Sequence, residues 1–209
     1  MKRGVRLVLA THNAHKVEEL RRILGPQLDG IELIGYDGPE PVEDGETFEA
    51  NALIKARAAS AFTGLPAIGD DSGICVDALD GAPGIYSARY AGTRDDADNY
   101  RLLLKNLGDN PNRAATFMCA AALVIPAALV ILEGRDAAAA PFEHVELGVW
   151  PGSIARQASG VGGFGYDPIF VPAGSTVTSA ELTAEEKNAI SHRSRAFAQL
   201  MPVVRDQMP

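Results

Sequence analysis

The sequence predicts an α/β protein with a mixed sheet flanked by helices. Two observations carry this. Short apolar runs of strand length alternate with segments of helical periodicity, and most of those helical segments end on glycine. A third fact sets the scale: 209 residues, 46% of them apolar, are enough for one domain with a sizeable core, which we place over 1–209.

Gly4–Ala10 reads as a first buried strand. A helix follows, with Val17, Leu20, Ile23 and Leu24 on one face, and Gly25-Pro26 stops it. Ile31–Ile34 is a second strand, and the acidic, proline-containing Tyr36–Gly45 is a loop. Thr47 can cap an alanine-rich helix from Phe48 to about Phe62, which Gly64 ends. Pro66–Gly69 is expected as a short strand ending in an Asp-Asp-Ser-Gly turn, with extended chain resuming over Ile74–Ala78. Asp80–Thr93 reads as an ordered glycine-containing loop. Asp95 or Asp96 caps a helix ended by Gly108. Ala114–Ile125 and Ala128–Glu133 are expected strands around a Pro126 turn, and Gly134–Pro141 a surface tip. Val145–Trp150 is another strand, Ser159–Asp167 a glycine-rich loop, Thr183 the cap of a short helix through Lys187, and His192–Met201 the final helix.

Composition excludes several classes. The formal net charge is −8 and no basic stripe is visible, which argues against a nucleic-acid binder. A local cluster of cations can still hold a small polyanion on an acidic protein. Cys75 and Cys119 lack metal spacing and read as buried reduced thiols. The charged N-terminus and the Pro126-interrupted apolar stretch fit neither a signal peptide nor a membrane span, so no membrane is expected and the cytoplasm is.

Five segments could carry chemistry. Thr11–Lys16 joins a strand to a helix, where free backbone N–H groups and the helix dipole favour an anion; it is not a Walker loop, and Asn13 could simply be a cap. Asp70-Asp71-Ser72-Gly73 offers two adjacent carboxylates at a strand end, a place for Mg²⁺ or merely an Asp-rich turn. The acidic loop Glu40, Glu43, Asp44, Glu46, Glu49 is mostly solvated surface, though one member could complete a metal site with Asp71. Gly160–Pro168 sets four glycines around two aromatics, suited either to stacking a flat base or to a tight loop. Glu185–Arg193 gathers Lys187, His192 and Arg193 near a helix start, where they could donate to an oxo group or a phosphate, or Ser191 simply caps a helix whose Arg193 and Arg195 face solvent.

The ordered set is more specific than any member. Thr-x-Asn-x-x-Lys, Gly-x-Thr-Phe-x-x-Asn-Ala-x-x-Lys-Ala, Asp-Asp-Ser-Gly, Gly-Ala-Pro-Gly-Ile-Tyr-Ser-Ala-Arg-Tyr, Gly-Gly-Phe-Gly-Tyr-Asp-Pro-Ile-Phe and Ala-Glu-Leu-Thr-x-Glu-Glu-Lys-Asn-Ala-Ile-Ser-His-Arg follow one another from Val5 to Val204. In this the chain closely resembles the inosine/xanthosine triphosphate pyrophosphatase family, which removes deaminated purine nucleotides. The resemblance implies an elongated mixed sheet, two lobes with the active-site cleft between them, a homodimer, and Mg²⁺-dependent hydrolysis of ITP, dITP or XTP to monophosphate and pyrophosphate. It further implies that Thr11, His12, Asn13, Ala14, His15 and Lys16 bind the triphosphate with Lys55, and that Glu43 and Asp71 hold the metal. Asp71 matches the proton acceptor and Ser72 a substrate contact. Phe164, Gly165, Tyr166 and Asp167 match the base pocket, and Lys187, His192 and Arg193 further substrate contacts. His12 stands where many members carry Gly, and Ala50 where many carry Glu.

Overall fold

The structure is a computed structural model that describes residues 5–12, 14–131 and 140–208, with the backbone alone at 14, 15, 26, 130 and 131. It contains six strands, β1 (Val5–Leu9), β2 (Ile31–Gly35), β3 (Ala67–Val76), β4 (Ala114–Ile125), β5 (Phe142–Ile154) and β6 (Phe170–Pro172). The helices among the described residues are α1 (Ala14–Leu24), α2 (Phe48–Thr63), α3 (Asp96–Leu107), α4 (Ala127–Ile131), α5 (Ala184–Ile190) and α6 (His192–Gln207). The strands form one sheet in the order β2-β1-β3-β4-β5-β6. β1 runs parallel to β2, with Val8 opposite Ile34, and parallel to β3, with Val8 opposite Ala67. β5 and β6 are antiparallel, so the sheet is mixed, as the alternation of elements predicts. Leu7, Val8 and Leu9 are all buried, which is why β1 reads as a continuous apolar run rather than an alternating one.

The chain divides into two compact units. The first comprises Met1–Asp71, Ala120–Leu147 and Ala196–Pro209. One of its cores gathers Val8, Ala10, Tyr36, Ala59 and Ala67. α2 lies close on β3 because its inward positions Ala52, Ala56 and Ala59 are small and fully buried. The strand answers with Gly69, where a Cβ would sit 2.9 Å from the Ala52 carbonyl oxygen and 3.0 Å from the Ala56 nitrogen. Thr47 caps α2 by accepting from the Ala50 N–H at 3.1 Å. Gly64, at φ 68°, ends the helix in the left-handed region as the sequence predicts.

The second unit comprises Ser72–Cys119 and Gly148–Arg195. Its core holds Ile74, Val76, Leu103, Phe117, Trp150, Ile169 and Phe170 among others. Phe117 meets Phe170 edge-on at 4.6 Å between centroids. Asp95 caps α3, and Thr183 opens α5 in a reciprocal capping box with Glu186.

Several sequence expectations are corrected. Asp70-Asp71-Ser72-Gly73 is not a turn: it lies inside β3, which runs unbroken from Ala67 to Val76. β3 lies between β1, which pairs with it at Ala67 and Ile68, and β4, and strand pairing outweighs the local turn preference of Asp, Ser and Gly. The strand expected over Ala128–Glu133 is helical as far as Ile131, and its last two positions lie outside the described residues. Residues 127–131 form α4, opened by a bond from the Leu129 N–H to the Pro126 carbonyl. The expected tip at Gly134–Pro141 lies largely outside the described residues. Asp80–Thr93 contains a 3₁₀ turn at Gly84–Arg89. β5 is longer than Val145–Trp150, and α6 passes through Pro202 instead of stopping at Met201. Phe197, Leu200, Met201 and Val204 are buried along α6, and their packing outweighs the hydrogen bond lost at proline. Cys119 is buried as expected, but Cys75 is only partly so.

Candidate active site

The candidate residues assemble within each unit separately. In the first, the two adjacent carboxylates of β3 serve different partners, as side chains of opposite faces of a strand must. Asp70, 1% exposed, accepts from Lys16 Nζ at 3.2 Å. Asp71, 8% exposed, accepts from Lys55 Nζ at 2.9 Å. The same Lys55 ammonium donates to Glu43 Oε2 at 3.0 Å. Burial opposes the charge on Lys55, yet Asp71, Asp70 and Glu43 outweigh it and hold the ammonium above its ordinary pKa. Burial pushes the Asp71 carboxyl up, partly offset by Lys55 and Lys16.

Asn51 completes this cluster. It is 2% exposed, its Oδ1 accepts from the Gly45 N–H at 2.9 Å, and its Nδ2 approaches Asp71 Oδ2 at 3.4 Å. One amide therefore ties the acidic loop to the carboxylate of β3. Gly45 is needed there, since a Cβ would lie 2.7 Å from Asn51 Oδ1. The sequence reading gave Asn51 no role. The signal was an asparagine, a poor helix former, buried among the alanines of α2. Asp70 was likewise left without a role; its position assigns it to orienting Lys16.

The fit to Mg²⁺ rests on the donor set. Glu43 and Asp71 direct two oxygens at one cation, and Mg²⁺ is commonly held by one or two carboxylates with phosphate and water completing its shell. Among the described residues no group of three or more histidine, cysteine or acidic side chains is placed to hold a metal ion by itself.

The phosphate-loop positions are partly described. The Thr11 N–H bonds the Leu9 carbonyl at 2.9 Å, and the exposed His12 ring lies against Tyr36 at 5.2 Å between centroids. Tyr36 is buried and donates to the Pro39 carbonyl at 2.8 Å, which anchors the start of the acidic loop. Asn13 and the side chains of Ala14 and His15 lie outside the described residues.

In the second unit, Asp167 organises the rest. It is 2% exposed; Oδ2 accepts from Lys187 Nζ at 2.5 Å and from the Phe164 N–H at 2.9 Å, and Oδ1 accepts from Ser179 Oγ at 2.7 Å. Gly163, at φ 70°, leaves room that a side chain would deny to the Asp167 carboxylate. Lys187 and Arg193 both lie over the Phe164 ring, at 5.0 and 5.7 Å from its centroid. Arg193 Nη2 donates to Ser72 Oγ at 2.8 Å. His192 stacks on Phe117 at 4.7 Å with 7° between the planes. Ser191 does cap α6, accepting from the Ser194 N–H at 3.2 Å, but Arg193 is 2% exposed and is not the solvated helix residue that the plainer reading supposed.

Two residues of this group face elsewhere. Tyr166 is 4% exposed in the core, and its hydroxyl donates to the Ser87 carbonyl at 2.8 Å; burial pushes its phenol well up. The Gly165 N–H donates to Asp96 Oδ2 at 2.7 Å. Phe164 is thus the aromatic that keeps cations on its face, while Tyr166 fixes the loop from below.

In the second unit two buried cations lie over an aromatic ring, and in the first a carboxylate pair meets a third cation. Residues 7–203 match the model of the Ham1 family, and the chain belongs to that family. A protein from Leifsonia xyli named dITP/XTP pyrophosphatase is 58% identical over 204 residues, 96% of each chain. Another of that name from Streptomyces coelicolor is 50% identical over 96% of this chain and 98% of its own. Among solved structures, a HAM1 protein from Coxiella burnetii superposes with a TM-score of 0.81 at 41% identity, covering 97% of this chain and 99% of that one.

Proposed function

We propose that this chain hydrolyses dITP, ITP and XTP to the nucleoside monophosphate and pyrophosphate. The observation that carries the reading is the convergence of Glu43 and Asp71 on Lys55, two carboxylate oxygens on one cation at 3.0 and 2.9 Å. The name shared by the relatives supports it.

Mg²⁺, bound by Glu43 and Asp71 with the substrate's phosphates, would neutralise charge on the leaving pyrophosphate. Lys16, oriented by Asp70, offers a second positive charge to the triphosphate. Asp71, whose carboxyl burial raises, is suited to accept the proton of the water that attacks the α-phosphorus. Asn51 holds its second oxygen so that the first stays directed at the reacting groups. On the base side, Phe164 offers a stacking face and Lys187 and Arg193 offer donors. A 6-oxo purine accepts from such donors, whereas adenine presents a donor of its own. An unpaired buried group costs about 1–3 kcal/mol, enough to discriminate. Guanine shares the 6-oxo group, so its 2-amino group must be refused by shape or charge.

We also propose that the protein works as a homodimer in the cytoplasm. The resemblance supports the first, and so do Leu147 and Val149, apolar side chains 39% and 45% exposed on one face of β5. The second is supported by the location of the free nucleotide pool; no helix among the described residues is long and apolar enough to cross a membrane.

The test is turnover of ITP, XTP, dITP, ATP and GTP with and without Mg²⁺, with product analysis. We expect pyrophosphate, not orthophosphate, from the first three. Equal rates on ATP and ITP would sink the specificity, and orthophosphate as product would move the cleaved bond.

A further inference from the structure

We propose that Lys55 is a resident counter-cation at the divalent-metal position: it occupies the ligands Glu43 and Asp71 in the metal-free protein and must surrender them when metal and triphosphate enter. The inference rests on the function just proposed, because it takes these two carboxylates as the metal ligands.

The geometry carries it. Lys55 Nζ is bonded at once to Glu43 Oε2 at 3.0 Å and to Asp71 Oδ1 at 2.9 Å, the two oxygens a metal would need. The ammonium is largely shielded, with its side chain 12% exposed, so solvent does little to weaken these bonds. Asp71 cannot readily rotate to serve two cations, since Asn51 Nδ2 stands against its other oxygen at 3.4 Å. Asn51 is itself pinned by the Gly45 N–H at 2.9 Å, two residues after Glu43. A dication and an ammonium sharing one oxygen pair repel strongly, so one excludes the other. A buried cation that loses its carboxylates needs another anion. The triphosphate supplies it. Metal alone must therefore evict Lys55 from both carboxylates it is bonded to, whereas metal together with nucleotide gives Lys55 a phosphate in exchange. The arrangement makes metal binding conditional on nucleotide, and it keeps the buried Asp71 and the half-buried Glu43 paired while the site waits.

Mn²⁺ binding to the metal-free protein, followed by electron paramagnetic resonance without nucleotide, tests this. Lys55→Met should bind Mn²⁺ roughly tenfold or more tightly than the parent, because the competing charge is gone. Unchanged or weaker binding in Lys55→Met would overturn the proposal. Adding Asp71→Asn to Lys55→Met should abolish the gain; a gain that survives it would mean that the metal binds elsewhere and would overturn the ligand assignment as well. A second measurement needs no variant. Acetylation of Lys55 in the parent, read by mass spectrometry, should rise several-fold when Mg²⁺ and a purine triphosphate analogue with a non-hydrolysable α,β-bridge are replaced by Mg²⁺ alone at saturating concentration, and should be lowest with neither. Equal labelling of Lys55 with saturating Mg²⁺ and with no metal would overturn the proposal.

Discussion

At the scale of single residues, the cluster around Asp71 behaves as one unit. Asp71→Asn should abolish pyrophosphate release while the circular dichroism spectrum stays that of the parent. Its effect on stability has a definite sign. Burial raises the Asp71 carboxyl above its unfolded value, so the stability linked to its proton is complete below the ordinary carboxylate range. That stability is lost as pH rises through the raised value. Asp71→Asn cannot ionise, so its melting temperature should gain on the parent's as pH rises above the ordinary carboxylate value of about 4. A gap that narrows over that range would reverse the argument. Asn51→Ala tests the brace. Removing the amide leaves the Gly45 N–H without its acceptor and should cost about 1–3 kcal/mol in denaturant unfolding. It should also lower kcat more than it raises KM for ITP, because Asp71 loses its orientation. Asn51, Asp70 and Tyr36 were not read as functional in the sequence, since nothing in a one-dimensional string says which buried polar group meets which.

At the scale of elements, the close approach of α2 to β3 is decided by small residues on both sides. Gly69→Ala would place a methyl 2.9 Å from the Ala52 carbonyl and 3.0 Å from the Ala56 nitrogen, backbone atoms that cannot swing aside. Overpacking of this kind costs about 1–3 kcal/mol, and a lowered denaturation midpoint with unchanged slope would register it. Since Asp70 and Asp71 follow directly, the same variant should lose activity at temperatures where it is still folded. Helix boundaries were legible where a local cap sets them: Thr47, Gly64, Asp95 and Thr183 all act as the sequence indicates. The strand–turn–strand reading around Asp70 failed because the turn preference of Asp-Asp-Ser-Gly is local. The hydrogen bonds that keep β3 extended come from strands distant in sequence.

At the scale of the whole molecule, binding should appear as stability. A ligand that binds only the folded state at a hundred times its Kd adds about 2.7 kcal/mol. With Asp71→Asn to block turnover, ITP should raise the melting temperature, and ATP at the same concentration should raise it less. Equal shifts would show that the donors around Phe164 do not read the 6-position. The net charge of −8 does not oppose this, because Lys55 in the first unit, and Lys187 and Arg193 in the second, are each shielded and held by named partners.

The chain by itself determined the α/β class, most helix ends and the roster of chemical groups, because periodicity, capping and motif order are local properties. Only the tertiary structure decided how those groups divide their work. It put Asp70 on Lys16 and Asp71 on Lys55, sent Tyr166 into the core while Phe164 faces two cations, and buried Arg193 instead of leaving it in solvent. The physical reason is the same in each case. A buried charge is tolerated only beside its partner, and in this fold those partners arrive from segments far apart along the chain.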